Sequence, residues 1–442
     1  MLGFSRLSAE GKVGVATGVV FLSMLISRTV LSERVDIGTR ARLFRTQFLL
    51  LINSLLLLGS LYIWKRVVTR LCGARLPAVS AASARAWAPR CWRAAVLLFL
   101  ALAHCSYLSM FYLVGTEPHW LSVLSFSCLG VYVILLFLLM MFGCVSRVLQ
   151  MFSKGSVLVA VSNSTRQTFL ALMMTALLAV YGLLNAAQPP QVVEVEVPVE
   201  KLPASMNGLK LVLLSDIHLG PTVGRSQLLR VVTMVNHLEP DVVVIVGDLT
   251  DSQVTRLRTA AEPLALLRPR LGSYFATGNH EYYTADVDSW FEFLRLKGIE
   301  PLHNSHARVF RPGNVQDWIC IAGIDDLEAS MLRYPGHGMD VEKALRGCSE
   351  ERPIVLLAHQ PHAAKQALQQ RPDINLVLSG HTHAGQLFPL TLLAFLVNPY
   401  FCGLYRISEH TMVYVTPGTV YYGIPMRIGS RAEITQITLK SA

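Results

Sequence analysis

The chain has 442 residues, 52% of them hydrophobic and only 15% charged, where an ordinary soluble domain carries about a quarter charged residues. That composition excludes a chain that faces water along its whole length. The formal net charge of +10 divides into +13 over residues 1–187 and −3 over the remainder, with no basic-aromatic interleaving or zinc-knuckle spacing, which argues against a nucleic-acid partner.

Five apolar stretches come first: Val13–Leu31, Thr46–Trp64, Ala94–Thr116, Leu121–Val145 and Thr168–Ala187. Each approaches the ~20 residues that span a bilayer, and four of the five contain no Lys, Arg, Asp or Glu. Arg28 interrupts the first, which reads as a signal anchor or first span; no small-residue cleavage site follows it. Residues 1–187 are therefore expected to be a membrane region of about five transmembrane helices, with the lipid bilayer as partner. Basic loops favour the cytosol. Residues 65–93 hold seven basic side chains, residues 146–166 hold three, and Glu117–Trp120 holds no Lys or Arg. This places the amino terminus inside and everything after residue 187 in a lumen or outside the cell. Arg34, Arg40, Arg42 and Arg45 run against that arrangement, and the sequon Asn163–Ser164–Thr165 would stay unmodified on the cytosolic side.

Gln188–Pro189–Pro190 breaks the pattern, and the period-two run "VVEVEVPVEKLP" reads as an edge strand carrying Pro198. Residues 188–207 thus form a linker and edge strand. From 208 to 442, short apolar strands alternate with helical spacing at Ser226–Leu238, Val254–Leu267, Val287–Lys297, Val341–Arg346 and Ala363–Gln370. Continuous apolar strands such as "DVVVIVGD" and "INLVLSGH" imply sheets covered on both faces, hence a layered α/β domain. The eight cysteines show no metal spacing. Cys320, Cys348 and Cys402 fall in this half, so at most one internal pair can form, and three buried thiols are expected.

Nearly every strand ends in groups able to hold a metal: Asp216–Ile217–His218, Gly247–Asp248–Leu249–Thr250–Asp251, Gly278–Asn279–His280–Glu281, His359, and Gly380–His381–Thr382–His383. Residues i and i+2 of a strand share a face, so the pairs Asp216/His218 and His381/His383 are each expected to aim into one cleft. Gly380 and Gly385 are expected to keep bulk away from it. In layered α/β folds that cleft lies beyond the carboxyl ends of the strands. Carboxylate, imidazole and one neutral amide suit Mn²⁺, Fe²⁺, Zn²⁺ or Co²⁺. A pair of such ions lowers the pKa of bound water towards ~7 and clamps a phosphoryl group. His381 and His383 would then each serve one of two divalent metal ions.

This set of motifs resembles the calcineurin-like metallophosphoesterase superfamily over residues 208–442, and "IPMRIGSRAEITQITL" is similar to the closing strands of its membrane-linked bacterial branch. The resemblance implies a four-layer αββα sandwich that hydrolyses phosphoesters by attack of a metal-bridging hydroxide. It implies Asp216, His218 and His383 around one metal and Asn279, His359 and His381 around the other, with Asp248 bridging. It further implies His280 over the leaving group as a catalytic residue, Glu281 orienting His280, and Asp251 supporting a ligand from behind. The family's protein phosphatases carry Arg where this chain has Ser252, a departure that favours phosphodiesters or other small or lipid phosphoesters; Arg427 is a candidate for the missing substrate-binding charge. His237, His303, His306 and His362 have no motif position and are expected to be surface or hydrogen-bonded histidines. The alternative is a transporter or membrane scaffold whose metal-binding domain is regulatory, or a metal sensor; few ionisable residues within the spans (Arg28 and His104) and an intact ligand set weigh against it.

Overall fold

All five apolar stretches form helices in the computed structural model, which describes residues 7–30, 35–71, 82–152, 163–348 and 351–442. They are α1 (Ala9–Val30), α2 (Ile37–Ile63, continued by a π-helical run Trp64–Arg70), α3 (Ala82–Tyr112), α4 (Trp120–Phe152) and α5 (Ser164–Ala187). Each is long and apolar enough to cross a membrane. Arg34, Cys72 and the side chain of Arg28 lie outside the described residues. Asp36 caps α2 by accepting from Thr39 N at 2.9 Å. Arg66, read from the sequence as a loop cation, sits in the π-helical run instead, buried against Gln167 Oε1 and Tyr62. His104 bonds through Nε2 to Ser60 at 3.1 Å and through Nδ1 to Asn53 at 2.8 Å. An unengaged histidine in a span would suggest a transport path; this one ties two helices together.

Contacts divide the chain into two units, Met1–Ser109 with Leu121–Gly182, and Met110–Trp120 with Leu183–Ala442. The second unit therefore takes in the turn between α3 and α4 and the last turn of α5. Thr116 O accepts from Arg225 N at 2.9 Å, and Glu117 Oε1 accepts from Ser226 N and Oγ at 3.0 and 2.6 Å. Asn185 Nδ2 donates to Arg427 O and Ser430 O at 2.9 and 3.0 Å.

Two six-stranded sheets build the rest of that unit. One joins β1 (Gln191–Val199), β12 (Glu433–Ser441), β2 (Lys210–Leu214), β3 (Val242–Val246), β4 (Gly272–Ala276) and β5 (Ile299–Pro301) in that order. The other joins β10 (Gly403–Arg406), β11 (Met412–Val415), β9 (Leu376–Ser379), β8 (Ile354–Leu357), β7 (Trp318–Gly323) and β6 (Ser305–Phe310). β1, with Pro198, is an edge strand that pairs with β12, the position in which a sheet tolerates proline. The central strands β2, β3 and β4 run parallel, as do β7, β8, β9 and β11. Alternate residues meet between the sheets: Leu211, Leu213, Val242 and Val244 of one pack in a common core with Ile321, Val355, Leu376 and Leu378 of the other. Helices α6 (Arg225–His237), α7 (Val254–Ala261), α8 (Asn279–Tyr283), α9 (Val287–Leu296), α10 (Leu327–Met331), α11 (Val341–Ala344), α12 (Pro361–Gln370) and α13 (Leu390–Val397) alternate with the strands, and several of them cover the opposite faces. Ala344 and Ala363 pack on Leu356 and Val377, and the Phe291 ring of α9 meets Phe275 of β4. The result is the expected αββα sandwich.

The differences have local causes. α7 stops at Ala261 and a 3₁₀ turn continues through Pro263, because proline has no N–H to extend an α-helix. α12 begins two residues early, at Pro361, where that missing N–H is harmless. The expectation of three thiols is overturned: Cys320 on β7 is disulfide-bonded to Cys348 after α11, and Cys402 alone is free. Burial was read correctly for Cys320 and Cys348 while Cys402 is only half-buried, and the pair's proximity across 28 residues left no spacing signal. Non-reducing peptide mapping of the full chain is expected to return Cys320 and Cys348 as one linked pair; Cys320 recovered as a free thiol contradicts this.

Candidate metal centre

Strands from both sheets deliver the cluster: β2, β3 and β4 from one, β8 and β9 from the other, each turning at its carboxyl end into a polar loop. The side chains converge by a route the strand rule did not foresee. β2 ends at Leu214 and β9 at Ser379, before their histidines. Asp216, His218, Asp248, His381 and His383 have φ of +54°, +53°, +51°, +69° and +49°, a left-handed conformation uncommon outside glycine. Such residues cost about 1–3 kcal/mol each and cluster at functional sites. Backbone bonds hold the first two loops together, from Asp216 N to Gly247 O at 3.1 Å and from His218 N to Asp248 O at 3.0 Å.

Two groups of ligand atoms result, Asp216, His218 and His383 in one and Asp248, His359 and His381 in the other. In the first, His383 Nε2 lies 3.2 Å from Asp216 Oδ1 and 3.1 Å from His218 Nε2. In the second, His359 Nε2 lies 3.2 Å from Asp248 Oδ2, and His381 Nδ1 lies 2.9 Å from Asn279 Oδ1. Asp248 Oδ2 is also 3.8 Å from His218 Nε2, so this one oxygen stands between the groups. Asp251 Oδ1 meets His218 Nδ1 at 2.8 Å and His280 Nδ1 at 2.9 Å, turning the other nitrogen of each ring inward. His359 Nδ1 is likewise committed to Val246 O at 2.8 Å.

This donor set fits divalent cations. His359 Nε2 is buried with no hydrogen-bond partner, a costly state unless something else occupies that lone pair. Two imidazole nitrogens facing each other beside two buried carboxylates also ask for positive charge. Burial alone would raise the Asp216 and Asp248 carboxyls; His383 beside the first, and His359 and His280 beside the second, hold both well below the usual range. Burial opposes charge on His280, but Asp248 and Asp251 raise it to about 9. Borderline ions with nitrogen and oxygen ligands match this chemistry.

Glycine is required at two places. A Cβ on Gly278 would lie 2.5 Å from Asp248 N, and one on Gly380 would lie 2.9 Å from Ser215 Cβ, both impossibly close. Gly385 differs from expectation: a Cβ there would lie 2.7 Å from Thr391 N, so it admits the start of α13 rather than shielding the cluster.

Two assigned roles are corrected. Glu281 does not orient His280; its carboxylate accepts from the backbone N–H groups of Asp248, Leu249, Thr250 and Gly278 at 2.9, 2.8, 3.3 and 2.7 Å. It thereby fixes the turn that carries Asp248, and Asp251 holds the His280 ring. Arg427 is fully buried and donates to the carbonyls of Val420, Pro417 and His383 and to Ser430 Oγ. Its donors bind loops together instead of reaching for phosphate. Among residues the sequence did not single out, the Tyr422 ring lies 4.7 Å from both His218 and His280, and Tyr283 lies 5.3 Å from His280. Asp326 follows β7 in "GIDD", a polar run after a strand like those of the other ligands; burial raises it to about 7, and its Oδ2 has no partner. His237, His303 and His306 bond to Thr233 O, Asp325 and Ala344 O, and His362 is exposed.

A family model described as calcineurin-like phosphoesterase matches residues 209–385. The chain is 76% identical over 444 residues to the transmembrane protein with metallophosphoesterase domain of Danio rerio, covering 100% of each. It is 54% identical to the protein of that name in Bos taurus, covering 99% of each. An uncharacterized metallophosphoesterase of Helicobacter pylori shares 34% identity over 258 residues, 58% of this chain and 66% of its own. On this identity over its full length, and with its two ligand groups, the chain belongs to the calcineurin-like phosphoesterase family.

Proposed function

We propose that this chain is a membrane-anchored hydrolase of phosphoesters that works with two divalent metal ions. The observation that carries the reading is Asp248 Oδ2, within 3.2 Å of His359 and 3.8 Å of His218, a bridging position between two groups that each offer an aspartate and imidazoles. Asp216, His218 and His383 would hold one ion, and Asn279, His359 and His381 the other, with Asp248 shared. Mn²⁺, Fe²⁺, Zn²⁺ and Co²⁺ suit these ligands. Bound there, the pair supplies charge that acidifies water and neutralises phosphoryl oxygens.

The protein's own groups do the rest. Asp251 pins His280 through Nδ1, leaving Nε2 to donate a proton to the departing ester oxygen. Glu281, with four N–H bonds, keeps the Asp248 turn rigid. Ser252 lies inward, its carbonyl bonded to Trp290 Nε1 at 3.0 Å, and Arg427 is occupied elsewhere, so neither position offers phosphate a free guanidinium. A phosphodiester, small or lipid, is a monoanion and carries less charge to be matched than the near-dianion of a protein-bound phosphomonoester. The Cys320–Cys348 disulfide favours an oxidising compartment, in agreement with the loop charges, and supports a lumenal or extracellular catalytic domain.

The full chain in lipid nanodiscs is expected to cleave an aryl phosphodiester faster than an aryl phosphomonoester with Mn²⁺, to stop on chelation, and to recover when Mn²⁺ is returned. Asp248→Asn should abolish turnover; wild-type turnover in that variant contradicts the site. Asp251→Asn should lower metal affinity or turnover by about 10–100-fold, as loss of a ligand's supporting partner does. Excess Mn²⁺ should then refill the site without restoring the rate, because His280 stays unheld.

A further inference from the structure

Helix α13, Leu390–Val397, follows the His381–His383 loop and has no buried residue. Leu390, Leu392, Leu393, Phe395, Leu396 and Val397 are all exposed, Leu396 to 78%. From Ala384 to Tyr405 there is no Asp, Glu, Lys or Arg. Exposed apolar surface of this kind marks an interaction face. The helix has 8 residues, far short of the ~20 that cross a bilayer, so its length suits a surface-inserted element.

The attachments around it say what covers it. Gln386 and Phe388, at its base, bond to the loop that carries Arg427: Ile428 N donates to Gln386 O at 2.8 Å, Phe388 N to Ile428 O at 3.1 Å, and Ser430 Oγ to Gln386 O at 3.2 Å. The same loop receives Asn185 from the last turn of α5 through the carbonyls of Arg427 and Ser430. One short loop thus holds both the exit of a membrane-crossing helix and the root of the apolar helix. Tyr422, whose ring lies against His218 and His280, bonds to Met110 Sδ at 3.8 Å near the exit of α3.

We propose that α13 inserts into the same bilayer that α1–α5 cross, placing the metal-binding cleft at the level of the lipid headgroups. Resting on the hydrolase reading above, this makes the phosphoester of a lipid headgroup the substrate class. Leu393 and Leu396 act by lipid contact, and both side chains are exposed.

The test uses the full chain in phosphatidylcholine vesicles doped with a phospholipid bearing a diazirine on its acyl chain. After irradiation, peptides covering 390–397 are expected to carry label alongside those from α4 and α5. Labelled spans beside an unlabelled 390–397 would overturn the proposal and return that face to a second copy or another protein. In a second arm, Leu393→Ser with Leu396→Ser should leave cleavage of a water-soluble aryl phosphodiester unchanged. The same variant should cut cleavage of that ester bearing a long alkyl chain in the vesicle by about tenfold. Equal rates on both esters would overturn the substrate class. Labelling without cleavage of either ester supports insertion and removes the hydrolase reading alone.

Discussion

A buried carboxylate can be kept charged only if cations or donors surround it, and Asp248 is the point where that constraint is most severe. It is almost fully buried, its Oδ1 accepts from His280 N at 2.9 Å, and its Oδ2 is left to the centre of the cleft. The rest of the domain is arranged around holding it there. Glu281 spends its own charge on the backbone N–H groups of the Asp248 turn, and Gly278 leaves the room that this turn needs. Two sheets packed face to face bring strand ends from opposite sides to the same oxygen. The left-handed conformations of the ligand residues are strain that this packing sustains.

Much of this was legible in the residues. Continuous runs of valine, isoleucine and leucine gave the strands, and the polar groups that end them could not all be explained as caps. That His381 and His383 would aim into one cleft also followed from their spacing, though for an incomplete reason. The strand rule assumes extended backbone, whereas these residues lie in turns with positive φ, which Asp and His adopt more readily than most residues but still too rarely to be read from sequence. Glu281 escaped for a related reason: its partners are backbone N–H groups, which every sequence possesses. Cys320 and Cys348 were seen as buried but not as neighbours, because β7 and the turn after α11 meet only once the sheet has formed. Arg427 looked like a phosphate ligand by context, and only the carbonyls around it show that it is a brace.

The membrane half carries a different kind of information. Its spans were read from length and composition, and the bonds made by Thr116, Glu117 and Asn185 add that the turn after α3 and the last turn of α5 belong to the same unit as the sheets. The apolar helix α13 is the element that composition alone left unassigned, since eight apolar residues suit a core as well as a surface. Its exposure decides between them, and its shared loop with the end of α5 gives that exposure a direction.

The central claim is that Asp248 joins two metal ions in one centre. The most direct measurement is metal content together with the electron paramagnetic resonance spectrum of the full-length protein loaded with Mn²⁺. The account predicts two ions per chain and a spectrum of exchange-coupled manganese that collapses in Asp248→Asn. A single ion per chain, or two ions with uncoupled spectra, would contradict it.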